Sequence, residues 1–391
     1  MSEITLERSA LTEGHLSSIP SRRTMKGGLS DDQMERYARH ISLPGVGEEG
    51  QLLMLSSSVL VIGAGGLGSP ALLYLSAAGV GKIGVMDHDS VSLSNLQRQV
   101  IHSNAAIGES KAISAARRIS ELNPDVEVVA IGEKLTHENA IDIFEDFDVI
   151  LDGTDNFETR YLIGDVCEVL EKPWVFGSIH RFEGQVSTFN LKGGPNYRDL
   201  FPQSPPPELA PNCAEAGVLG VLPGIVGTIQ ATEALKIILN IGETLDGNLL
   251  TINAKDMDMR KLSFNLDASR ERVSSTNFPT QVSFAEISPI DFVERSNDGW
   301  APFLLDVRGA EEEQITTLDG TDLRIQHLQV PSRIHEIPQN KDIVVYCRIG
   351  SRSAAIARLL VESGRPPESI YNLFGGIHLW ADTVDSSIIK Y

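Results

Sequence analysis

Ser58-Val59-Leu60-Val61-Ile62-Gly63-Ala64-Gly65-Gly66-Leu67-Gly68-Ser69 decides the fold of the front of the chain. Its apolar residues read as a short buried strand, the glycines as a tight turn, and residues 69–78 as a helix. A second strand over 82–87 ends on Asp87. Strand, glycine turn, helix and strand in that order open a doubly wound α/β unit. Further helices are expected over 29–43, with Ser30 as N-cap, and over 111–122 and 225–239. Further strands are expected near 126–131, 148–152, 174–177 and 184–190.

The chain has 391 residues, which points to two domains, and 41% hydrophobic residues, which supplies real cores. Residues 1–28 read as a flexible, Ser-rich leader, 29–266 as the first domain, 267–281 as a polar linker and 282–391 as a second, smaller α/β unit. The proline-rich stretch 201–211 cannot be regular structure and reads as a mobile crossing loop. Acidic residues outnumber basic ones by 53 to 33, and the net charge of −20 argues against nucleic acid as a partner. Cys167, Cys213 and Cys347 form no CxxC pair and no disulfide framework, as in a reducing compartment. With no signal peptide and no apolar run of about 20 residues, a cytoplasmic protein without a membrane span is expected.

Gly63, Gly65 and Gly68 satisfy the GxGxxG spacing, which lets backbone approach phosphate at a helix N-terminus. Asp87 follows at the distance where a carboxylate takes ribose hydroxyls. Alone this says only that a nucleotide or dinucleotide binds. The neighbouring groups narrow it: Asp89, then Ser94-Asn95-Leu96-Gln97-Arg98-Gln99, Lys111, and Gly153-Thr154-Asp155-Asn156 closing a strand. Cations and carboxylates converging on one crevice suit a triphosphate with Mg²⁺ better than a hydride carrier. The nucleotide-binding set is Gly63, Gly65, Gly66, Gly68, Asp87, Asp89, Asn95, Arg98, Lys111, Asp155 and Asn156.

These blocks, with Arg36-Tyr37-Ala38-Arg39-His40 and Asn212-Cys213-Ala214-Glu215-Ala216-Gly217, resemble the ubiquitin-activating-type adenylyltransferases over residues 29–265. Among these, the chain is most similar to the molybdopterin-synthase adenylyltransferases and their thiamine-pathway cousins. The resemblance implies ATP as substrate, Asp87 on ribose, Arg98 and Lys111 on phosphates, and Asp155 positioning Mg²⁺. It further implies a homodimer in which Arg39 reaches the partner's site. Its substrate would be the C-terminal glycine carboxylate of a ubiquitin-like sulfur-carrier protein ending in Gly-Gly. Relatives often carry two CxxC pairs for a structural zinc. Here Asn196-Tyr197-Arg198-Asp199 stands at the first of these locations, so no zinc site is expected.

Near the other end, Cys347-Arg348-Ile349-Gly350-Ser351-Arg352 follows an expected strand over 342–346 and leads into a helix over 353–362. A thiol at a helix N-terminus beside Arg348 and Arg352 is expected to hold negative charge, as thiolate or persulfide. The loop resembles the active-site loop of rhodanese domains, and Leu305-Asp306-Val307-Arg308 and Asn372–Ile377 with Trp380 fit that family's flanking motifs. That resemblance covers 282–391 and implies that Cys347 carries sulfur from an upstream persulfide donor, with Arg348, Gly350, Ser351 and Arg352 as its cradle. Cys213 is a candidate second acceptor thiol, whereas Cys167 falls in an apolar helical pattern and reads as core.

The expectation is an enzyme, an ATP-dependent adenylyltransferase fused to a sulfurtransferase. Its catalytic residues would be Arg39, Arg98, Asp155 and Cys347. Two other readings use the same motifs: a nicotinamide- or flavin-dependent oxidoreductase built on the glycine turn, and a non-catalytic carrier-binding module with the cysteine loop as redox sensor.

Overall fold

The computed structural model of the protein describes residues 28–202, 217–274, 278 and 284–391. Residues 1–27 of the leader, 203–211 of the proline-rich stretch, 212–216 with Cys213, and 275–277 and 279–281 of the expected linker lie outside it. The described residues fall into two compact units, 28–278 and 284–391.

The first unit is built on an eight-stranded sheet. Its strands are β1 Ser58–Ile62, β2 Lys82–Met86, β3 Glu127–Ile131, β4 Val149–Asp152, β5 Trp174–His180, β6 Glu183–Phe189, β7 Asn248–Asn253 and β8 Asp258–Ser263. They lie in the order β3-β2-β1-β4-β5-β6-β7-β8. The pairs from β3 through β5 are parallel, and β5 to β8 are antiparallel. Val59, Leu60 and Val61 are wholly buried because apolar side chains cover both faces of the parallel half. The chain steps outward from β1 to β2 and β3, then returns to β4 on the other side of β1. Neighbouring loops therefore diverge above the C-terminal ends of β1 and β4, which is where ligands bind in such sheets.

Local departures from the sequence expectation have identifiable causes. The helix expected over 29–43 starts as read, with Gln33 N donating to Ser30 Oγ at 3.2 Å, but it breaks into Asp31–Arg36 and Ala38–Ile41. Tyr37 causes the break: it is 2% exposed, and its phenol oxygen accepts from Asn123 Nδ2 at 2.9 Å. β5 runs on to His180, and Arg181 takes φ 54° in the turn to β6. The helices Gly47–Ser56 and Ala140–Glu145 and the β7–β8 hairpin lack a strong enough period to be foreseen individually, whereas the apolar helical pattern around Cys167 is the helix Phe157–Val169. Cys167 lies wholly buried in the last of these helices, where burial pushes its thiol pKa well up.

The helix Leu222–Leu239 is long and apolar enough to cross a membrane by length and hydropathy, yet half of it is buried against the sheet. Its polar side chains explain this. Gln230 Nε2 donates to the Asp152 carbonyl at 2.6 Å, and the Glu233 carboxylate accepts from Thr188 Oγ1 and Leu245 N. It is a core helix of the first unit.

The second unit carries an all-parallel sheet of β9 Ala285–Ile287, β10 Phe303–Asp306, β11 Leu323–Arg324, β12 Ile343–Tyr346 and β13 Ile370–Leu373. The order β11-β10-β12-β13-β9 puts β12 at the centre, and all four of its residues are buried. Apolar clusters cover both faces.

The segment 267–273, at the front of the expected linker, is instead tied to the first unit through Arg270. Its guanidinium donates to Glu168 at 2.9 and 2.7 Å and to Asp199 at 2.8 Å, on carboxylates that are 1% and 0% exposed. Removing one partner of a buried ion pair strands the other charge, so Arg270→Met is expected to cost about 3–5 kcal/mol in urea unfolding. Burial pushes Asp199 up, but hydrogen bonds from Arg270 and Asn196 N outweigh it and hold the carboxyl below its ordinary 3.8. The carboxylate's contribution is therefore whole above about pH 4 and fades as pH falls through the folded value. A urea series from pH 7 to pH 3 is expected to show less of this loss in Arg270→Met than in the wild type.

Candidate nucleotide and sulfur sites

The glycine turn and the loop after β4 meet backbone to backbone. Gly63 has φ +94°, and a Cβ placed there would lie 2.7 Å from the Gly153 carbonyl oxygen. A Cβ on Gly68 would come within 1.8 Å of the Gly63 carbonyl oxygen. No side chain fits either place, so the first and last glycines of the motif are fixed by close approach within the protein. Gly65 differs, because a Cβ there would meet only Gln99 Nε2 at 3.6 Å. Its backbone is open to a ligand.

Asp87, just past β2, turns back onto this turn. Its Oδ2 accepts from Ala64 N at 2.8 Å and its Oδ1 from Asp89 N at 2.9 Å. Lys111 opens the helix Lys111–Leu122, and its Nζ donates to Asp89 Oδ2 at 2.9 Å. Burial pushes Asp89 up, but the hydrogen bond and charge of Lys111 bring its pKa below the ordinary value. Arg98 stands beside the turn: its Cδ would lie 3.7 Å from a Cβ on Gly66, and its Nη1 donates to the Ser94 carbonyl. Gly turn, Asp87, Asp89, Arg98 and Lys111 thus share one edge of the sheet.

Asp155 follows β4 on the same edge; it is exposed and has no hydrogen-bond or ion-pair partner among the described residues. Asn95 and Asn156 are partly occupied otherwise. Asn95 Oδ1 accepts from Ser92 N and Asn156 Oδ1 from Thr159 N, each closing the first turn of a helix. Arg39 is exposed on Ala38–Ile41 and makes no hydrogen bond or ion pair with any of these residues.

Further side chains whose roles have no local signal in the sequence stand at this edge, and His102, Arg160, Asp152 and Gln230 hold it in shape. His102 Nε2 meets the Ala64 carbonyl at 2.9 Å while its Nδ1 meets Ser114 Oγ, and burial lowers its pKa. Gln99 is 4% exposed, and its Oε1 has no partner among the described residues. Beneath Asp155, the buried Arg160 pairs with Asp152 at 3.0 Å and donates to the Thr154 carbonyl, while Asp152 Oδ1 accepts from Thr154 N and Oγ1. Gln230 secures the Asp152 carbonyl from the other side. A signal existed in Asp152 and Arg160, eight positions apart across a strand end and a helix, but only the fold brings them into contact.

In the second unit Cys347 follows the central strand and is wholly buried. Its Sγ accepts from Gly350 N at 3.2 Å and lies 3.4 Å from Ser353 Oγ. Gly350, at φ +95°, packs against the Gly375 backbone and caps the helix Ser351–Glu362, whose N-terminus faces the sulfur. Arg352 is held by a two-pronged ion pair to Glu312 at 2.7 Å per prong. Burial pushes Glu312 up, but the Arg352 hydrogen bonds and Gly309 N bring its carboxyl down to about 2. Arg348 is exposed, with Nε 3.4 Å from His378 Nε2. Both cations belong to the loop in sequence, whereas Glu312, the carboxylate that orients Arg352, lies 40 positions away and has no local signal there.

Comparison with known proteins agrees with this architecture. Residues 37–273 match the ThiF family, and 288–383 match the rhodanese-like domain. A probable adenylyltransferase/sulfurtransferase MoeZ of Mycobacterium tuberculosis is 40% identical, the match spanning 96% of this chain and 100% of that one. The adenylyltransferase and sulfurtransferase MOCS3 of Arabidopsis thaliana is 37% identical over 94% of this chain and 87% of its own. A sulfur carrier protein adenylyltransferase of Thermus thermophilus is 50% identical over 59% of this chain and 88% of its own. Among solved structures, Escherichia coli MccB with ATP shares the fold at TM-score 0.54 and 17% identity, covering 61% of this chain and 74% of that one. None of these supports the oxidoreductase or sensor readings. The chain belongs to the ThiF family, and it joins that adenylyltransferase domain to a C-terminal rhodanese-like sulfurtransferase domain.

Proposed function

We propose that this enzyme adenylates the C-terminal glycine carboxylate of a ubiquitin-like sulfur-carrier protein and then delivers sulfur to it from Cys347. The observation that carries the reading is the joining, in one chain, of a phosphate-approaching glycine turn with Asp87, Arg98 and Lys111 on its edge and a cysteine seated at a helix N-terminus. The relatives named for adenylyltransferase and sulfurtransferase activity support it.

In the first step the carboxylate oxygen bonds to the α-phosphorus of ATP, and pyrophosphate leaves with the electron pair of the broken P–O bond. The carboxylate is already ionised at neutral pH, since such groups titrate near ~4, so no general base is needed. What the step requires is alignment and charge neutralisation, which Arg98 and Lys111 supply from fixed positions. Asp87 takes the ribose, and the open backbone at Gly65 receives phosphate. Asp155, an exposed carboxylate with no partner among the described residues, fits Mg²⁺, which prefers one or two carboxylates with phosphate and water. When bound, the ion offsets phosphate charge.

In the second step the terminal sulfur of a Cys347 persulfide attacks the acyl carbon and AMP leaves, giving an acyl disulfide. A second thiol then attacks the Cys347 sulfur. The thiocarboxylate departs, and a mixed disulfide stays on Cys347. Cys213 is one candidate for that thiol. No zinc is invoked, because Asn196, Arg198 and Asp199 are engaged with Gly164, Asp165 and Arg270. Arg39, exposed and unpaired among the described residues, fits a role in a partner subunit's site, hence a homodimer. The cysteine usage fits a cytoplasmic enzyme.

Carrier-dependent exchange of labelled pyrophosphate into ATP tests the first step, and a panel of Gly-Gly carriers names the pathway, whether molybdenum cofactor, thiamine or another. Lys111→Ala is expected to lower exchange by about 10²–10³-fold; no exchange with any carrier would overturn the reading. Cys347→Ala is expected to keep wild-type exchange and lose thiocarboxylate formation from a persulfide donor, read by mass spectrometry of the carrier. Arg39→Ala and Asp155→Ala, each inactive alone, are expected to regain exchange when mixed, because one intact site forms in a mixed dimer. No recovery on mixing would place Arg39 in its own subunit's site.

A further inference from the structure

Tyr391 stands at the meeting point of both loop arginines and has no part in the reaction as read above. Its phenol accepts a hydrogen bond from Arg308 Nη1 at 2.8 Å and donates one to Glu312 Oε1 at 3.1 Å. Arg308 is wholly buried and forked onto the equally buried Asp306, so that end of the chain of contacts is fixed. Glu312 in turn grips Arg352. The Tyr391 ring lies under the Arg348 guanidinium at 5.4 Å and edge-on to the His378 ring at 6.0 Å. Its backbone oxygen meets His378 Nε2 at 3.1 Å.

We propose that Tyr391 is a positioning residue for sulfur transfer at Cys347, setting where the two loop cations stand relative to the sulfur. This rests on the reading of Cys347 as the sulfur carrier. Arginine side chains carry about 2 kcal/mol of rotamer entropy when free. A single aromatic residue that touches Glu312 on one side and Arg348 on the other removes that freedom from both cations.

The chemistry gives the positioning a purpose. With thiosulfate as donor, the Cys347 thiolate attacks the outer sulfur, the donor's S–S bond breaks and sulfite leaves with its electron pair. Negative charge thereby moves outward by one sulfur. Cyanide then takes the terminal sulfur as thiocyanate and restores the thiolate. A cation already in place meets the displaced charge without reorganising. In Tyr391→Phe the ring stays and the hydroxyl is lost, so Glu312 and Arg308 lose their bridge while the contact with Arg348 remains.

The test is thiosulfate-to-cyanide transfer by the full chain at saturating donor, with carrier-dependent pyrophosphate exchange as the control for the first unit and thermal unfolding followed by circular dichroism as the control for folding of the second. Tyr391→Phe is expected to slow transfer by about two- to tenfold, the worth of one hydrogen bond, and Tyr391→Ala by more, with exchange unchanged. Glu312→Gln is expected to slow it comparably, and the double variant Tyr391→Phe/Glu312→Gln to be no slower than the slower single, because the two act through one contact. Wild-type transfer in Tyr391→Phe, or singles whose effects multiply in the double variant, would overturn the proposal. If Tyr391→Ala fails to fold, the near-isosteric Tyr391→Phe still decides. Equal inactivity of the wild type and Cys347→Ala would instead sink the sulfur-carrier reading itself, taking this proposal with it.

Discussion

Three stretches of backbone come closer together at the end of β1 than any side chain would allow. The Gly63 carbonyl sits where a Cβ on Gly68 or on Gly153 would have to be, at 1.8 and 2.8 Å respectively. This contact brings the helix Gly68–Ala78 onto its strand and seats the loop carrying Asp155 against the glycine turn. Any substitution there displaces backbone rather than a flexible side-chain end. The nucleotide edge of the first unit depends on that contact.

Polar groups then finish what the glycines begin. The Asp152–Arg160 pair is almost fully desolvated, and such a pair is retained at a cost unless its remaining hydrogen-bonding capacity is used. Here it is used: Thr154 supplies an N–H, a hydroxyl and a carbonyl, and the Gly177 carbonyl accepts a further N–H from Arg160. The result is a rigid floor under an exposed Asp155 that has no partner among the described residues. Asp87 plays the equivalent part on the other side by accepting Ala64 N.

The second unit solves a related problem with different parts. The sulfur transfer proposed at Cys347 passes through anionic sulfur, which cations stabilise, but arginines left free would move. Asp306–Arg308, Glu312–Arg352 and the Tyr391 phenol form one connected network, and network members fix one another more firmly than isolated surface pairs do. Each unit therefore rests its candidate site on a buried ion pair, Asp152–Arg160 in the first and Asp306–Arg308 in the second. This division suits the two-step chemistry proposed above, in which each site acts without rearranging.

Much of this was legible in the chain itself. The order strand, glycine turn, helix, strand follows from local apolar runs and glycine spacing, which depend on neighbours in sequence. The same holds for Cys347 at the end of an apolar strand and the start of a helix. Other features rested on contacts between residues far apart. Tyr37 breaks its helix because Asn123, 86 positions away, takes its phenol. Arg270 ties down a stretch that reads as linker because Glu168 lies 102 positions back. Tyr391, Glu312 and Arg352 carry no joint signal in the sequence, since nothing in their spacing states that they meet. By itself the sequence determined the elements that flank the two motifs, the motifs themselves and the family, because these are properties of short windows of residues. The tertiary structure decided which carboxylates orient which cations, because hydrogen bonds and buried charges are satisfied by distance in space, whatever the separation along the chain.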